Sequence, residues 1–172
     1  MKIEDIQLVK YDEISEEEFI DYITEWERTS EKIVPGATNR KDLNFTVMRK
    51  MWTEHESIVS ENYVPETLYF LRNNKNRILG AIQFRHKLND RLKINGGHIG
   101  YGIRPSERRN GYASIMLKKM LEIVKKKKYQ KVLVTCDDDN IGSIKTIEKN
   151  HGILQDKPIY EGVLTRRYWI EL

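Results

Sequence analysis

Gly97-His98-Ile99-Gly100-Tyr101-Gly102-Ile103-Arg104-Pro105-Ser106-Glu107-Arg108-Arg109-Asn110-Gly111-Tyr112-Ala113 sets the architecture of this 172-residue chain. Its first half alternates: Ile99, Tyr101 and Ile103 share one face of a strand, and His98, Gly100 and Gly102 share the other. Pro105 has no N–H for a ladder and ends that strand. A basic loop follows and runs straight into a helical pattern. Where a Gly-containing loop joins a strand to a helix N-terminus, unpaired N–H groups and the positive end of the helix dipole converge on one spot, which suits an anion. Arg108 and Arg109 add charge there. The loop is not a P-loop, since no Gly-Lys-Ser/Thr closes it. It is not a dinucleotide fingerprint either, because position 105, where a third Gly is needed, holds Pro.

Upstream, residues 4–10 read as a first strand. Ser15-Glu16-Glu17-Glu18 has the form of a capping box, and Phe19, Tyr22, Ile23 and Trp26 recur behind it at helical spacing. That helix should end near Ser30, before Pro35-Gly36. A second helix covers roughly 40–57, with Leu43, Val47, Met51 and Phe45, Met48, Trp52 on adjoining ridges. Residues 67–73 and 77–84 are strands joined in a hairpin through Asn73-Asn74-Lys75-Asn76, and 88–95 is a polar connection. Downstream, a helix over about 111–127 buries Ala113, Leu117, Met120, Leu121 and Val124. Lys125 to Lys128 crowd its C-terminus, a solvated end favoured by the dipole. Lys131 to Cys136 reads as a buried parallel strand, so the order strand, helix, strand predicts a right-handed βαβ unit. Asp137-Asp138-Asp139 lacks EF-hand spacing and fits a loop entering a helix at 141–149, with Ile141, Ile144 and Ile147 buried. Residues 153–158 and 163–170 close the sheet. The expectation is one α/β domain over 1–172, with a mixed, mostly antiparallel sheet of about seven strands and helices on both faces.

Composition narrows the function. The chain carries 30 Lys+Arg against 26 Asp+Glu, a net charge of +4. That suits an anionic ligand and is too small to demand nucleic acid. A single Cys leaves no internal disulfide and no cysteine metal cluster, and no metal is expected. No apolar run approaches the roughly 18 residues that span a membrane. Met-Lys-Ile-Glu-Asp at the start lacks an apolar signal core, so the cytoplasm is the expected location.

Arg108 to Ala113 has the form Arg-x-x-Gly-x-Ala, and Ile103-Arg104-Pro105 stands before it as Ile-x-Pro. This resembles the acyl-CoA pyrophosphate loop of the GNAT superfamily of N-acetyltransferases. A second block, Asn140-x-x-Ser143 followed by Glu148-Lys149-Asn150-His151-Gly152, is similar to the superfamily's Asn-x-x-Ala/Ser and Tyr-Glu-Lys-x-Gly-Phe. It departs in two places: Ile147 stands where a tyrosine often serves as general acid, and the Gly is shifted by one residue. The two blocks span about 67–170. Arg85-His86, Gly97 to Tyr101 and Arg167-Tyr168-Trp169-Ile170 resemble a less characterised bacterial branch.

The resemblance implies a GNAT-like fold with two central parallel strands that splay apart. It implies acetyl transfer from acetyl-CoA to a primary amine, by direct attack in a ternary complex and without metal. By that likeness, backbone N–H groups around Tyr101, Gly102 and Ile103 would bind the pantetheine or polarise the thioester. Those of Arg109, Asn110, Gly111, Tyr112 and Ala113 would hold the pyrophosphate, with Arg108 or Arg109 adding a charge-assisted contact. Asn140, with Ser143 beside it, would contact the pantetheine arm. The two helices between the first two strands would wall the acceptor pocket. Several members carry a glutamate base on the fourth strand; Gly97 stands there, and His98 is the candidate base, weighed against a packed strand histidine. His86 would lie across the hairpin from it. Tyr112 is the candidate acid, with Tyr101 and Tyr160 open. Cys136 would be a buried small hydrophobe near the splay. The partners implied are acetyl-CoA and an amine; a homodimer stays open, and neither membrane nor nucleic acid is expected. Two other classes compete: a CoA-binding protein without catalysis, and a basic nucleic-acid binder resting on Lys125 to Lys128.

Overall fold

The computed structural model describes residues 5–60 and 62–172. Strand β1 (Ile6–Lys10) starts two residues later than expected, and residue 4 lies outside the described residues. Helix α1 (Glu16–Glu27) begins at the anticipated capping box. Ser15 Oγ accepts from the Glu18 N–H at 3.2 Å, and the Glu18 carboxylate accepts from the Ser15 N–H at 2.6 Å. Helix α2 (Phe45–His55) is shorter than 40–57, because Asn44 caps it through the Val47 N–H. Of its two ridges only Phe45, Met48 and Trp52 is buried; Val47 remains 39% exposed.

Strands β2 (Glu66–Asn73) and β3 (Ile78–Arg85) form the expected hairpin. The connection after it contains a short helix, α3 (Asp90–Ile94), started by Asn89 Oδ1 accepting from the Leu92 N–H at 2.9 Å. Strand β4 (Ile99–Ile103), helix α4 (Tyr112–Lys126) and strand β5 (Lys131–Asp137) make the strand-helix-strand unit. Helix α5 (Ile141–Lys149) and strands β6 (Ile153–Asp156), β7 (Ile159–Tyr160) and β8 (Val163–Glu171) complete the chain.

The sheet therefore has eight strands rather than about seven. Its order is β1-β2-β3-β4-β5-β8-β6, with β7 paired to β8. The expected 153–158 strand stops at Asp156, ahead of Pro158, which has no N–H to continue a ladder, and the additional strand, β7, follows it. Every pairing is antiparallel except β4 with β5. Each face has its own core. α1 and α2 pack Phe19, Tyr22, Trp26, Phe45 and Trp52 against Leu68, Phe70 and Ala81. α4 and α5 pack Met116, Leu117, Met120, Val124 and Ile147 against Ile82, Phe84, Val132, Val134 and Tyr168. Full burial of each such side chain contributes about 1.5–3 kcal/mol. Ile141, expected in the core, is 55% exposed; it lies at the mouth of the cleft described next.

Candidate active site

The parallel pair β4·β5 holds only one ladder partner, Ile99 with Val134. Both strands continue past it, to Ile103 and Asp137, so their carboxyl ends part. The far edge of β4 is fully engaged with β3, from Phe84–Ile99 to Gly80–Ile103. Hydrogen bonding alternates along such a pair. Arg104 N–H donates to the Leu79 carbonyl at 3.0 Å, so the N–H groups of Tyr101 and Ile103 belong to the other set and turn toward the gap. Gly102 faces the opposite side of the sheet, where a Cβ would fall on the Val34 carbonyl oxygen. The segment between α1 and α2 is pressed against β4 at that point.

A cleft of about 650 Å³ occupies the gap. Tyr101, Gly102 and Ile103 form one wall, Asn140, Gly142 and Ser143 the other, and the start of α4 closes one end. Gly111 caps α4 in the left-handed region (φ +78°) with no side-chain cap, and no atom lies within 4 Å of a Cβ built on it. The first-turn N–H groups of Tyr112, Ala113 and Ser114 are thus approachable, at the positive end of a 15-residue helix.

The two loop arginines behave differently. Arg108 forks onto Glu31 at 2.9 and 2.7 Å, lies 5.1 Å from the Trp26 ring centroid, and donates through Nε to the Ile103 carbonyl at 3.3 Å. The Arg108 hydrogen bond holds the Glu31 carboxyl below its ordinary value. Arg109 (φ +66°) makes no hydrogen bond or ion pair among the described residues. Asn110 does not line the cleft; its amide donates back to the Glu107 carbonyl at 3.2 Å. Asn140 does line it, and its Oδ1 caps α5 through the Ser143 N–H at 3.0 Å.

Of the three phenols, Tyr101 and Tyr112 border the cleft and Tyr160 does not. The Tyr101 hydroxyl meets Ser143 Oγ at 2.8 Å. Burial pushes its pKa up, so it stays protonated. Ile147, where the resemblance expects a tyrosine, is fully buried. Cys136 is buried, and burial pushes its thiol up to about 11, as expected of an inert thiol.

His98 is the main departure from expectation. It precedes the Ile99–Val134 pair, at the closed end of the splay, and does not line the cleft. Its N–H donates to the Leu133 carbonyl at 2.7 Å, and its Nδ1 accepts from the Leu133 N–H at 2.9 Å. Burial, helped by the nearby Arg85 charge, lowers its pKa to about 4. This geometry ties β4 to β5 and keeps His98 away from the cleft. His86 likewise pairs elsewhere, with Thr67 Oγ1 at 2.8 Å.

Four residues from the α1–α2 side line the cleft, Trp26, Glu31, Lys32 and Val34; Trp26 lies on the expected helical wall, and the other three carry no site signal of their own. Trp26 carried a core signal and serves both roles. Glu31 carried none, because its pairing with Arg108 spans 77 residues. Among the described residues no group of His, Cys, Asp and Glu is arranged to hold a metal, and no helix is long and apolar enough to cross a membrane. Asp138 is instead paired with Arg166 and Lys157.

Residues 37–153 match the family model described as acetyltransferase (GNAT) family. No curated protein matches the chain. Among solved structures, a putative GnaT-family acetyltransferase from Bordetella pertussis superposes with a TM-score of 0.67 at 12% identity, over 99% of this chain and 98% of that one. A dodecameric spermidine N-acetyltransferase from Vibrio cholerae gives 0.65 at 11% identity, over 98% and 94%. RimL, a ribosomal L7/L12 α-N-protein acetyltransferase in complex with coenzyme A, gives 0.64 at 16% identity, over 98% and 94%. At these identities the likeness is one of fold.

Proposed function

The chain belongs to the GNAT acetyltransferase family, and from that premise we propose that residues 1–172 act as one domain moving an acetyl group from acetyl-CoA to a primary amine. The observation that carries this reading is the splayed β4·β5 cleft ending on the uncapped N-terminus of α4. Its shape and chemistry fit an acyl-CoA. The first-turn N–H groups of α4 and Arg109, unpaired among the described residues, suit the pyrophosphate. The open space over Gly111 admits it. The N–H groups of Tyr101 and Ile103, turned into the gap, suit the pantetheine amides or the thioester carbonyl.

The donor is already activated, so this chain's task is to align a neutral amine with the acyl carbon. Such alignment is worth about 7–11 kcal/mol. Trp26, Lys32 and Val34 bring the α1–α2 segment to the same cleft and would form the acceptor side. The amine would lose its proton to water or to a carboxylate at the mouth, since no histidine lines the cleft among the described residues. The proposed setting is the cytoplasm. Its structural neighbours include enzymes named for spermidine and for an α-N-protein substrate, which makes both sensible probes.

The test has two stages. CoA should raise the melting temperature in a concentration-dependent way, by the stabilisation RT ln(1+[L]/Kd). Thiol release from acetyl-CoA is then followed with spermidine, an N-terminal peptide and an amino sugar. Absence of any CoA shift would remove the reading. A CoA shift without turnover on any amine would favour the CoA-binding protein without catalysis.

A further inference from the structure

We propose that the Tyr101 hydroxyl, carried on β4 and tied to Ser143 on α5, is the group that donates a hydrogen bond and then a proton to the departing CoA sulfur. This inference rests on the acetyl-transfer reading above. Helix α5 offers no phenol to the cleft, and its Ile147 is fully buried and apolar. A phenol reaches the same cleft from the opposite strand. Tyr101 stands two residues past the last β4·β5 ladder pair, where the strands part. Its hydroxyl lies 2.8 Å from Ser143 Oγ and 3.4 Å from the Ser143 carbonyl. Both residues border the cleft. Tyr112, the other phenol there, stands at the first turn of α4, on the phosphate side.

The amine lone pair forms the C–N bond at the acyl carbon, the C–S bond breaks, and sulfur takes its electron pair. As Tyr101 gives its hydroxyl proton to that sulfur it takes one from the Ser143 hydroxyl 2.8 Å away, which solvent replenishes, so no tyrosinate is left in the buried site; the new amide nitrogen releases its surplus proton to water. Burial keeps the phenol protonated before the step, and it also strengthens a hydrogen bond to a charged sulfur.

The experiment compares wild type, Tyr101→Phe and Ser143→Ala, using CoA itself and the fastest amine of the panel above. Ultraviolet difference titration of CoA-bound minus free protein follows ionisation of the bound thiol. Tyr101→Phe should raise that thiol pKa by about one pH unit, since one unit corresponds to one tenfold step in the thiolate's stabilisation. In turnover it should lower kcat by roughly 10- to 100-fold, the size of a lost hydrogen bond to a charged group, with KM for acetyl-CoA near wild type. Ser143→Ala should show the same pattern more weakly. CoA that still binds with an unchanged thiol pKa in Tyr101→Phe overturns the assignment, as does a lower melting temperature with unchanged kcat, which marks a purely structural tie. A wild type that shifts the thiol pKa yet acetylates no amine would leave the Tyr101 contact standing and remove the transfer reading instead.

Discussion

Arg104 is only 2% exposed, and its charge is met from several sides. It donates to Glu25 and Asp21 at 2.8 Å each, and to the Ile78 and Asp21 carbonyls at 3.0 and 3.1 Å. Glu25 also accepts from the Ser106 N–H at 2.6 Å, so α1 holds the first turn of the anion loop in place. Arg104→Met should cost roughly 2–4 kcal/mol in urea unfolding, because it strips partners from a buried carbonyl and two carboxylates. Asp21 is held below its ordinary pKa by its Arg104 hydrogen bond, and Glu25, against the opposing pull of burial, by Ser106 and Arg104. The unfolded chain therefore takes protons first as pH falls, and this stabilisation, present at neutral pH, disappears below the usual carboxylate range. His98 works in a higher window. It takes its proton near pH 6.5 when unfolded and near 4 when folded, so stability drops as pH falls between those values. His98→Asn keeps an acceptor for the Leu133 N–H and should flatten that acid slope. His98→Ala leaves the N–H unpaired and should cost about 1–3 kcal/mol. In both variants the pH profile of kcat/KM should run parallel to wild type; a loss that shrinks toward high pH would restore His98 as the base.

At the scale of elements, α4 and its entry loop carry the proposed donor site, and Gly111 tests them cleanly because the chain provides its own control. Gly162 has nearly the same backbone (φ +81° against +78°), and nothing lies within 4 Å of a Cβ at either position. Asn tolerates this region best among residues with a side chain. Gly111→Asn and Gly162→Asn should therefore lose similar, small stability, on the order of 1 kcal/mol or less. Only Gly111→Asn should reduce the thermal shift produced by CoA. Equal shifts in both would place the phosphate elsewhere. The same elements show what the sequence makes legible. The capping box at Ser15, the alternation at 99–103 and the strand-loop-helix run at 97–113 are local signals, written within a few residues of the structure they produce. β7 is two residues long, too short for any period. α3 is five residues begun by Asn89, a cap signal hidden in polar sequence. Ile141 followed the core spacing of α5, yet its side chain borders an opening between two strands, and no periodicity encodes an opening. Asn110 and Arg108 matched a loop pattern, but their side chains answer to Glu107 and Glu31, partners fixed by the fold.

At the scale of the whole molecule, two cores lie on opposite faces of one sheet, and Trp26 of one and Tyr101 beside the other both border the cleft. The segment 28–44 packs Val34 onto β4 at Gly102, and Arg40 returns it to the end of α1 through Glu27. Glu31 sends a carboxylate to Arg108. Glu31 is thus an anion already seated on one of the two loop cations, about half exposed at the cleft mouth. A pyrophosphate that draws on Arg108 must displace it. Removing the carboxylate's charge should then help the ligand: Glu31→Gln should tighten CoA by about 1.5- to 5-fold, the range of an exposed ion pair worth roughly 0.2–1 kcal/mol. The gain should shrink as salt rises, because the competing attraction is screened. The acceptor side should respond in the opposite sense. Freed from Arg108, the 28–44 segment loses one of its anchors, so KM for the amine should rise while the donor binds better. Calorimetry with CoA and steady-state KM for the amine read the two effects separately. Weaker CoA binding in Glu31→Gln would mean that Glu31 instead aims Arg108 at the donor, and that the segment supports the loop rather than competing with its ligand.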